Sequence, residues 1–211
     1  MDELNAKLIQ GKERIAAAGR TRPKAATTGD RLPPGQHEVK NWPVLDLGVQ
    51  PDIPLDKWSL NIEGVVEKPT RLSWDDFLAL PKVEKVTDFH CVTTWSRFDN
   101  RWRGVEFKTI CDLVNPKSEA RHVLFRSYDG YSTNLPLAAA LDDALVVHHW
   151  EGKPLEREHG GPVRVVVSKV YAWKGAKWVK DVIFLPHDNP GFWEVRGYSN
   201  TADPWKEERF S

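Results

Sequence analysis

Apolar and polar residues alternate along much of the chain, and this pattern predicts more strand than helix. Period-two alternation or β-branched runs predict strands in WSLNIEGVVEKP, VEKVTDFHCV, RHVLFRSYDG, LVVHHWEGKPL, PVRVVVSKV and AKWVKDVIFL. Helical spacing predicts short helices in TRLSWDDFLALP, FKTICDLV and PLAAALDDAL, the first with Ser73 or Thr70 as its N-cap. Many short strands without a strand–helix–strand rhythm predict an α+β fold with mixed β-sheets and short helices.

The N-terminal region differs from this pattern. Residues 1–20 predict a short helix with a thin apolar stripe of Leu4, Leu8 and Ile15. Residues 20–43 are rich in Pro, Gly and charge without periodicity, so they predict an extended arm that is mobile or wraps the core. We therefore divide the chain into an N-terminal helix and arm, residues 1–30, and a single domain, residues 31–211.

Composition narrows the functional classes. The 211 residues include 30 basic and 30 acidic side chains, so the zero formal charge gives no reason to expect nucleic acid or an anionic membrane as partner. No segment reaches the ~18 apolar residues of a membrane span, and the charged N-terminus lacks the apolar core of a secretory signal. Two cysteines make no disulfide framework, so we expect a cytoplasmic protein. Ten tryptophans predict an aromatic-lined pocket or seam.

Residues 88–96, DFHCVTTWS, contain Cys91, one of the two cysteines. The pattern predicts that Cys91 ends a strand and enters a polar, aromatic loop, where functional groups concentrate. An isolated cysteine is most often a buried core thiol. A nucleophile with His159 as its base, as in a Cys–His hydrolase, is also compatible with the sequence. Neither CxxC nor HExxH is present, which argues against zinc.

A basic and aromatic segment covers residues 157–180. Gly160-Gly161-Pro162 predicts a tight turn, Arg164 follows it, and Lys177 lies close to Gly175. Glycine lets backbone N–H groups approach an oxyanion closely, and Arg and Lys both bind phosphate. Because aromatic residues are interleaved with these groups, the segment suits a flat, anionic ligand. A non-catalytic binder of such a ligand is therefore a further alternative.

A third segment, SYDGYSTNLPL at residues 127–137, predicts the end of a strand, an Asp-Gly turn and the start of a helix. Asp129 in this turn also suits a hydrogen bond to the N–H groups of a heterocycle. By itself the segment favours the turn.

Together, the ordered motifs DFHCVTTWS…WRGV, DGYSTNLPL and HGGPVRVVV…AKWV resemble the molybdopterin-binding domain of the sulfite oxidase family, especially its small, stand-alone bacterial members. The resemblance covers nearly the whole chain after residue 30. It implies the fold of that domain, a molybdenum–molybdopterin cofactor without a nucleotide, and an oxidoreductase. Such an enzyme would transfer an oxygen atom or two electrons to or from a small polar substrate, such as an S-oxide or a sulfite-like anion.

The resemblance also implies roles for individual residues. Cys91 would ligate molybdenum, and Tyr198 would act beside the metal with its phenol directed at a substrate oxygen. The implied cofactor-binding residues are Asn41, Trp42, His90, Cys91, Thr93, Asp129, His159, Arg164, Gly175, Ala176 and Lys177.

Two positions depart from the family pattern. Lys40 and Ser96 stand where sulfite oxidases place arginines around the substrate anion, so the resemblance does not specify sulfite as the substrate. The sequence also shows no dimerising immunoglobulin-like domain and no haem domain. We therefore expect a monomer that exchanges electrons with a separate partner protein.

Overall fold

The computed structural model describes residues 5–19 and 31–211, which form two β-sheets and four short α-helices. The strands are β1 (His37–Glu38), β2 (Ser59–Gly64), β3 (Thr70–Ser73), β4 (Val83–His90), β5 (Trp95–Glu106), β6 (His122–Ser127), β7 (Ser132–Pro136), β8 (Leu145–Trp150), β9 (Lys153–Pro154), β10 (Arg164–Val166) and β11 (Val179–Leu185). The helices are α1 (Ala6–Gly19), α2 (Trp74–Ala79), α3 (Phe107–Val114) and α4 (Leu137–Asp143). None of the helices in these ranges is long and apolar enough to cross a membrane.

Both sheets are mixed, which confirms the predicted α+β fold. The first has the order β1-β5-β8-β10, with β4 paired to β5 and β9 paired to β8. The second has the order β3-β2-β11-β6-β7. The pairs β1–β5 and β2–β11 are parallel, and the other pairs are antiparallel.

Period-two alternation places the larger core against the second sheet. Leu60 and Ile62 of β2 and Val182 and Phe184 of β11 are at most 1% exposed, and the ring of Phe107 stacks on Phe184 with centroids 5.8 Å apart. Successive strand residues point to opposite faces, so these pairs share one face. Burial of such side chains is the main stabilising contribution to the fold.

A smaller cluster lies on the first sheet and positions the site. Trp42, Phe89, Trp102 and Cys91 belong to it, and the rings of Trp42 and Trp102 meet edge to face at 5.2 Å. Cys91 directly follows β4, and Arg164 begins β10 of the same sheet. A rigid aromatic layer therefore supports both residues.

The predicted cap of α2 is confirmed. The Ser73 hydroxyl accepts a hydrogen bond from the Asp76 N–H at 3.2 Å, and the Asp76 carboxylate accepts one from the Ser73 N–H at 2.9 Å. This reciprocal capping box satisfies two N–H groups that the helix itself leaves without partners.

The predicted loop after Cys91 is wrong. Residues 91–94 form only a tight turn, and Trp95–Glu106 is the longest strand in the described part of the chain. Its register against β4 shifts between Thr87 and Phe89, and its register against β8 shifts between Arg103 and Gly104. Such irregularities break the period-two pattern on which strand prediction depends.

The helix start predicted in residues 127–137 is confirmed at Leu137, but the prediction missed the strand β7 at Ser132–Pro136, which precedes it. Two polar residues of β7 are buried. Thr133 donates to a Glu194 carboxylate oxygen at 3.0 Å, and Asn134 donates to Asp188 at 2.6 Å. Glu194 and Asp188 are distant from β7 in sequence, so no local pattern predicts this strand.

The N-terminal helix forms as predicted over Ala6–Gly19, but with a different buried face. Leu8 and Ile15 are 44% and 61% exposed, while Leu4 and the part of the predicted arm at residues 20–30 lie outside the described residues. Ala16 is fully buried, and Ile9 packs against the core. Residues 9, 12 and 16 follow the spacing of one helical face. Lys12 therefore lies on the side that meets the domain.

Gly64, the last residue of β2, is packed closely against backbone, whereas Gly130, which follows β6, is not. Gly64 and Gly130 both have positive φ, but a Cβ on Gly64 would lie 2.2 Å from the Phe184 carbonyl oxygen, whereas a Cβ on Gly130 meets nothing within 4 Å. We expect Gly130→Ala to lower the free energy of unfolding by about 1–2 kcal/mol. Gly64→Ala should lower the free energy of unfolding by about 1–3 kcal/mol more than Gly130→Ala does, because the backbone at Phe184 must move to admit the Cβ. Urea unfolding measures the stability of both variants. Equal losses would contradict the close approach of Gly64 to Phe184.

Candidate active site

A cavity of about 120 Å³ lies beside the turn after β4. Segment 42–47, the β10–β11 connection and the C-terminal tail form other parts of its wall. Eight of the residues with an implied role line it: Trp42, Cys91, Thr93, Asp129, Arg164, Gly175, Lys177 and Tyr198. The structure thus brings the three separate sequence motifs together around one space.

The turn that carries Cys91 is held by hydrogen bonds. The Thr94 N–H donates to the Cys91 carbonyl at 3.1 Å, and Thr94 itself has a φ of 73°. Gln36 from the arm donates to the same carbonyl at 3.0 Å, and Arg209 from the tail donates to the Val92 carbonyl at 2.7 Å. Both ends of the domain therefore hold this turn in place.

The Cys91 thiol is buried beside one hydroxyl. Its sulfur lies 3.2 Å from Thr93 Oγ1. Burial raises the pKa of Cys91, although the bond to Thr93 and the charges of Lys12 and Arg209 act in the opposite direction. A thiol in such surroundings is a poor free nucleophile, whereas binding of a metal ion deprotonates a thiol directly. The environment therefore suits a metal ligand.

The geometry does not support the Cys–His hydrolase. Within residues 5–19 and 31–211, the thiol has no hydrogen bond to an imidazole. The His159 ring instead stacks flat on Trp42, with centroids 3.9 Å apart and an angle of 3°. Burial and the nearby Lys177 and Arg164 lower the pKa of His159 to about 4.

Arg164 carries a buried charge. The residue is 2% exposed, and its guanidinium donates to the carbonyls of His159 at 2.9 Å and Gly175 at 3.2 Å. In the described ranges it forms no ion pair with a carboxylate. Burial lowers the pKa of Arg164 to about 10. A charge that is removed from water without a counter-ion is costly, so the group suits an anionic ligand.

Two more basic groups, Lys177 and His159, lie near the Arg164 guanidinium. Burial, followed by the charge of Arg164, lowers the pKa of Lys177 to about 7, and Lys177 donates to the Glu158 carbonyl at 2.7 Å. Nδ1 of His159 is buried and has no hydrogen-bond partner among the described groups. Like charges that destabilise one another are stabilised together by a phosphate or similar anion.

The walls beside the cationic groups are flat. The Arg164 guanidinium lies 5.3 Å from the Trp42 ring centroid and 5.4 Å from that of Phe89. A Cβ on Gly175 would approach the Val165 carbonyl oxygen to 2.6 Å, so only glycine fits without a shift. A flat, anionic ring system matches this combination of planar walls and basic groups.

Tyr198 and Asp129 complete the lining. Tyr198 is 4% exposed and packs against the rings of Trp173 at 5.2 Å and Trp193 at 4.9 Å. Burial, with a smaller effect from Cys91, raises the pKa of Tyr198, so the phenol remains a hydrogen-bond donor at neutral pH. Asp129 accepts from the Tyr131 N–H at 3.0 Å, and burial raises its pKa.

Four residues with an implied cofactor role do not line the cavity. Asn41 is exposed, and Ala176 is fully buried with its carbonyl bonded to the Val165 N–H. The His90 ring lies 2.8 Å from Ser96 Oγ, and His159 touches the site through Trp42. Their roles stay predictions.

The two positions that depart from the family pattern are also absent from the lining. Lys40 is exposed and paired with Glu38. Ser96 is fully buried behind the turn, where it bonds His90. Neither side chain contributes charge to the cavity.

Sequence reasoning missed Lys12, which lines the cavity, and Arg209, which holds the Cys91 turn. The spacing of Ile9, Lys12 and Ala16 was an available signal for Lys12. Arg209 lies in a tail without periodicity and is 117 residues from its acceptor Val92, so no local signal exists for it.

Comparison with known proteins agrees with this geometry. Residues 47–193 match the family described as the oxidoreductase molybdopterin binding domain. The uncharacterized oxidoreductase YuiH of Bacillus subtilis is 41% identical over 186 residues, which cover 86% of this chain and 92% of that protein. The protein-methionine-sulfoxide reductase catalytic subunit MsrP of Campylobacter jejuni is 30% identical over 156 residues, 65% of this chain and 52% of that protein. The chain thus spans about half of the MsrP relative.

The fold agrees as well. The crystal structure of the sulfane dehydrogenase SoxCD from Paracoccus pantotrophus superposes with a TM-score of 0.65 and 17% identity, over 73% of this chain and 44% of that one. At this identity the match supports the fold alone. With the family match, it confirms the resemblance expected from the three sequence motifs.

The crowded cations predict a pH dependence of stability. The pKa of Lys177 is 10.5 unfolded and about 7 folded. Between these values the folded state binds fewer protons, so the destabilisation by this lysine is greatest near neutral pH and fades as pH rises. In cofactor-free protein, Lys177→Met should therefore raise the free energy of unfolding most at about pH 7 and least at about pH 10.

Urea unfolding across this pH range measures the difference between variant and wild type. Lys180→Met, which removes an exposed ammonium three residues away, is the matched control and should show no such trend. If the difference in free energy of unfolding between Lys177→Met and wild type stays constant with pH, the crowding of Lys177 against Arg164 is contradicted.

Proposed function

Because this chain belongs to the oxidoreductase molybdopterin-binding domain family, we propose that it reduces small organic S-oxides, with Cys91 as the protein ligand to molybdenum. The chain is a molybdopterin-dependent oxidoreductase, as the family match and its relatives establish. The substrate and the ligation by Cys91 are the proposed parts.

One observation carries the proposal: the Cys91 thiol and the cations of Arg164 and Lys177 line the same cavity. A soft thiolate suits a transition metal, and a pair of cations suits a phosphate. Molybdopterin carries both a metal-binding end and a phosphate. The donor set therefore fits the cofactor. If Cys91 were only a core thiol, and Arg164 and Lys177 only part of a solvated turn, they would not be expected to line one cavity.

Different residues of this chain would hold different parts of the cofactor. Arg164 and Lys177 would bind its phosphate, which relieves the buried positive charge. Trp42 supplies a flat wall, and the backbone at Gly175 permits close approach. Asp129 would accept hydrogen bonds from ring N–H groups.

When bound, the molybdenum cofactor supplies two-electron oxygen-atom transfer chemistry. Tyr198, whose raised pKa keeps its phenol protonated, would donate a hydrogen bond to the S-oxide oxygen. The buried aromatic walls around it exclude water from the reacting atoms. Overall, two electrons and two protons convert the S-oxide into a thioether and water.

The electrons would come from a separate redox protein, because no second redox centre is implied by the residues of the described cavity. We also expect a monomeric, cytoplasmic enzyme, as the sequence predicts.

The cavity favours an S-oxide over sulfite. Its walls include Leu45, Leu47 and Trp193, and neither Lys40 nor Ser96 reaches it. Arg164 is the guanidinium that lines the cavity, and it is assigned to the cofactor phosphate, so a doubly charged anion would lose its hydration without a guanidinium partner of its own. A neutral S-oxide exposes one polar oxygen and buries apolar substituents. The name of the MsrP relative, a methionine-sulfoxide reductase subunit, supports the same choice.

Ligation by Cys91 can be tested with the other cysteine as a matched control. Enzyme prepared in a host that makes the cofactor should contain molybdenum. In Cys91→Ala, X-ray absorption at the molybdenum edge should show one sulfur ligand fewer, and turnover should fall by about 100-fold or more. Cys111→Ala removes a buried sulfur from α3 and should change neither quantity. An unchanged sulfur count in Cys91→Ala would refute the ligation.

Substrate preference is tested by steady-state kinetics. With a reduced viologen as electron donor, kcat/KM for an aryl methyl sulfoxide should exceed kcat/KM for sulfite oxidation with ferricyanide by about 100-fold, because no guanidinium of the described cavity remains for sulfite once Arg164 binds the cofactor phosphate. A preference for sulfite would overturn the assignment.

A further inference from the structure

Helix α1 lies against the cavity. The Asn5 N–H donates to the Leu47 carbonyl at 3.0 Å, and Glu13 forms an ion pair with Arg196 at 3.2 Å. Ala16, three residues after Glu13, is fully buried. The helix therefore bridges the segment before β2 and the C-terminal tail, which are both parts of the cavity wall.

Lys12 projects from this helix into the cavity. Its side chain lines the same space as Cys91 and Tyr198, and its ammonium lies 5.2 Å from the centroid of the Trp193 ring. Burial lowers the pKa of Lys12, while the proximity of Cys91 and Asp46 opposes this shift. The ammonium is thus near the thiol but is partly removed from water.

The other cations in the cavity already have backbone partners and are assigned to the cofactor phosphate. Arg164 donates to three backbone carbonyls, and Lys177 donates to the Glu158 carbonyl. Among residues 5–19 and 31–211, the Lys12 ammonium has no hydrogen bond and no ion pair; it contacts the Trp193 ring, and Cys91 and Asp46 act on its charge from farther away. Three N–H donors therefore remain for a ligand.

We propose that α1 is part of the active site and that Lys12 binds the S-oxide oxygen of the substrate. This inference rests on the proposed function and deepens it. The S–O bond is strongly polarised, so its oxygen accepts a charge-assisted hydrogen bond from an ammonium. Lys12 supplies the positive charge that Lys40 and Ser96 do not bring to the cavity, and the Trp193 ring restricts where that charge can lie.

Lys12→Met tests this role in the molybdenum-loaded enzyme. We expect KM for the aryl methyl sulfoxide to rise about 10-fold or more, and kcat to change much less, because the lost bond is a charge-assisted contact to the substrate. Lys12→Arg should recover most of the affinity, since it restores the charge. Lys7→Met, on the exposed side of the same helix, is the matched control and should leave KM unchanged.

Binding is measured independently of turnover with the matching aryl methyl sulfone, which presents the same S–O dipole. Calorimetry should show that its Kd rises about 10-fold in Lys12→Met and not in Lys7→Met. Molybdenum content and the midpoint of thermal unfolding should match those of wild type. A lower metal content, or an unchanged sulfone Kd, would overturn the role of Lys12.

The two proposals can fail separately. If wild type binds the sulfone through Lys12 but reduces no sulfoxide, the proposed function fails while the binding role of Lys12 stands. If wild type reduces sulfoxides and Lys12→Met does so with unchanged KM, the function stands and the inference about Lys12 fails. Absence of sulfone binding by wild type would overturn the inference.

Discussion

The buried charge of Arg164 is the constraint on which the rest of the site depends. Removing an ion from water costs several kcal/mol, and no carboxylate in the described structure offsets that cost here. Backbone carbonyls of His159 and Gly175 must therefore turn toward the guanidinium, which brings two separate loops together. Burial lowers the pKa of Lys177 and of His159, and the charge of Arg164 lowers both further. An anion would offset the charges of Arg164 and Lys177 together, so the packing of these loops and the proposed binding of a phosphate depend on the same group.

The part of the cavity that contains the Cys91 thiol depends on a buried ion pair. Lys174 and Glu194, both at most 1% exposed in their side chains, meet at 2.8 Å, and Glu194 also accepts from the Trp173 indole at 3.1 Å. Breaking a buried pair of this kind leaves an uncompensated charge, so the tail is held firmly against the β10–β11 connection. This anchoring places Trp193 and Tyr198 beside Cys91, where a loosely held tail would leave the thiol open to solvent.

Local signals explain which parts of the structure were predictable. The helix α3 and the Ser73 cap form as predicted because their determinants lie within a few residues of each other. The strand β5 was missed because two register shifts disrupt its alternation. Ordered motifs led to Cys91, Arg164 and the cofactor class. They could not reveal Arg209, whose contact spans 117 residues and depends on how the tail folds back.

The position of these groups along the chain explains why the family identifies a cofactor more firmly than a substrate. The match covers residues 47–193, which contain the thiol of Cys91 and the phosphate-type cations Arg164 and Lys177. Lys12 and Tyr198, the two groups proposed to bind the substrate oxygen, lie outside that range. Most of the proposed cofactor-binding residues thus lie in the matched range, with Trp42 just outside it, whereas the proposed substrate-binding groups Lys12 and Tyr198 come from segments nearer the two ends of the described chain. With the proposed roles of Lys12 and Tyr198, substrate choice can change through these two segments while the cofactor site stays intact.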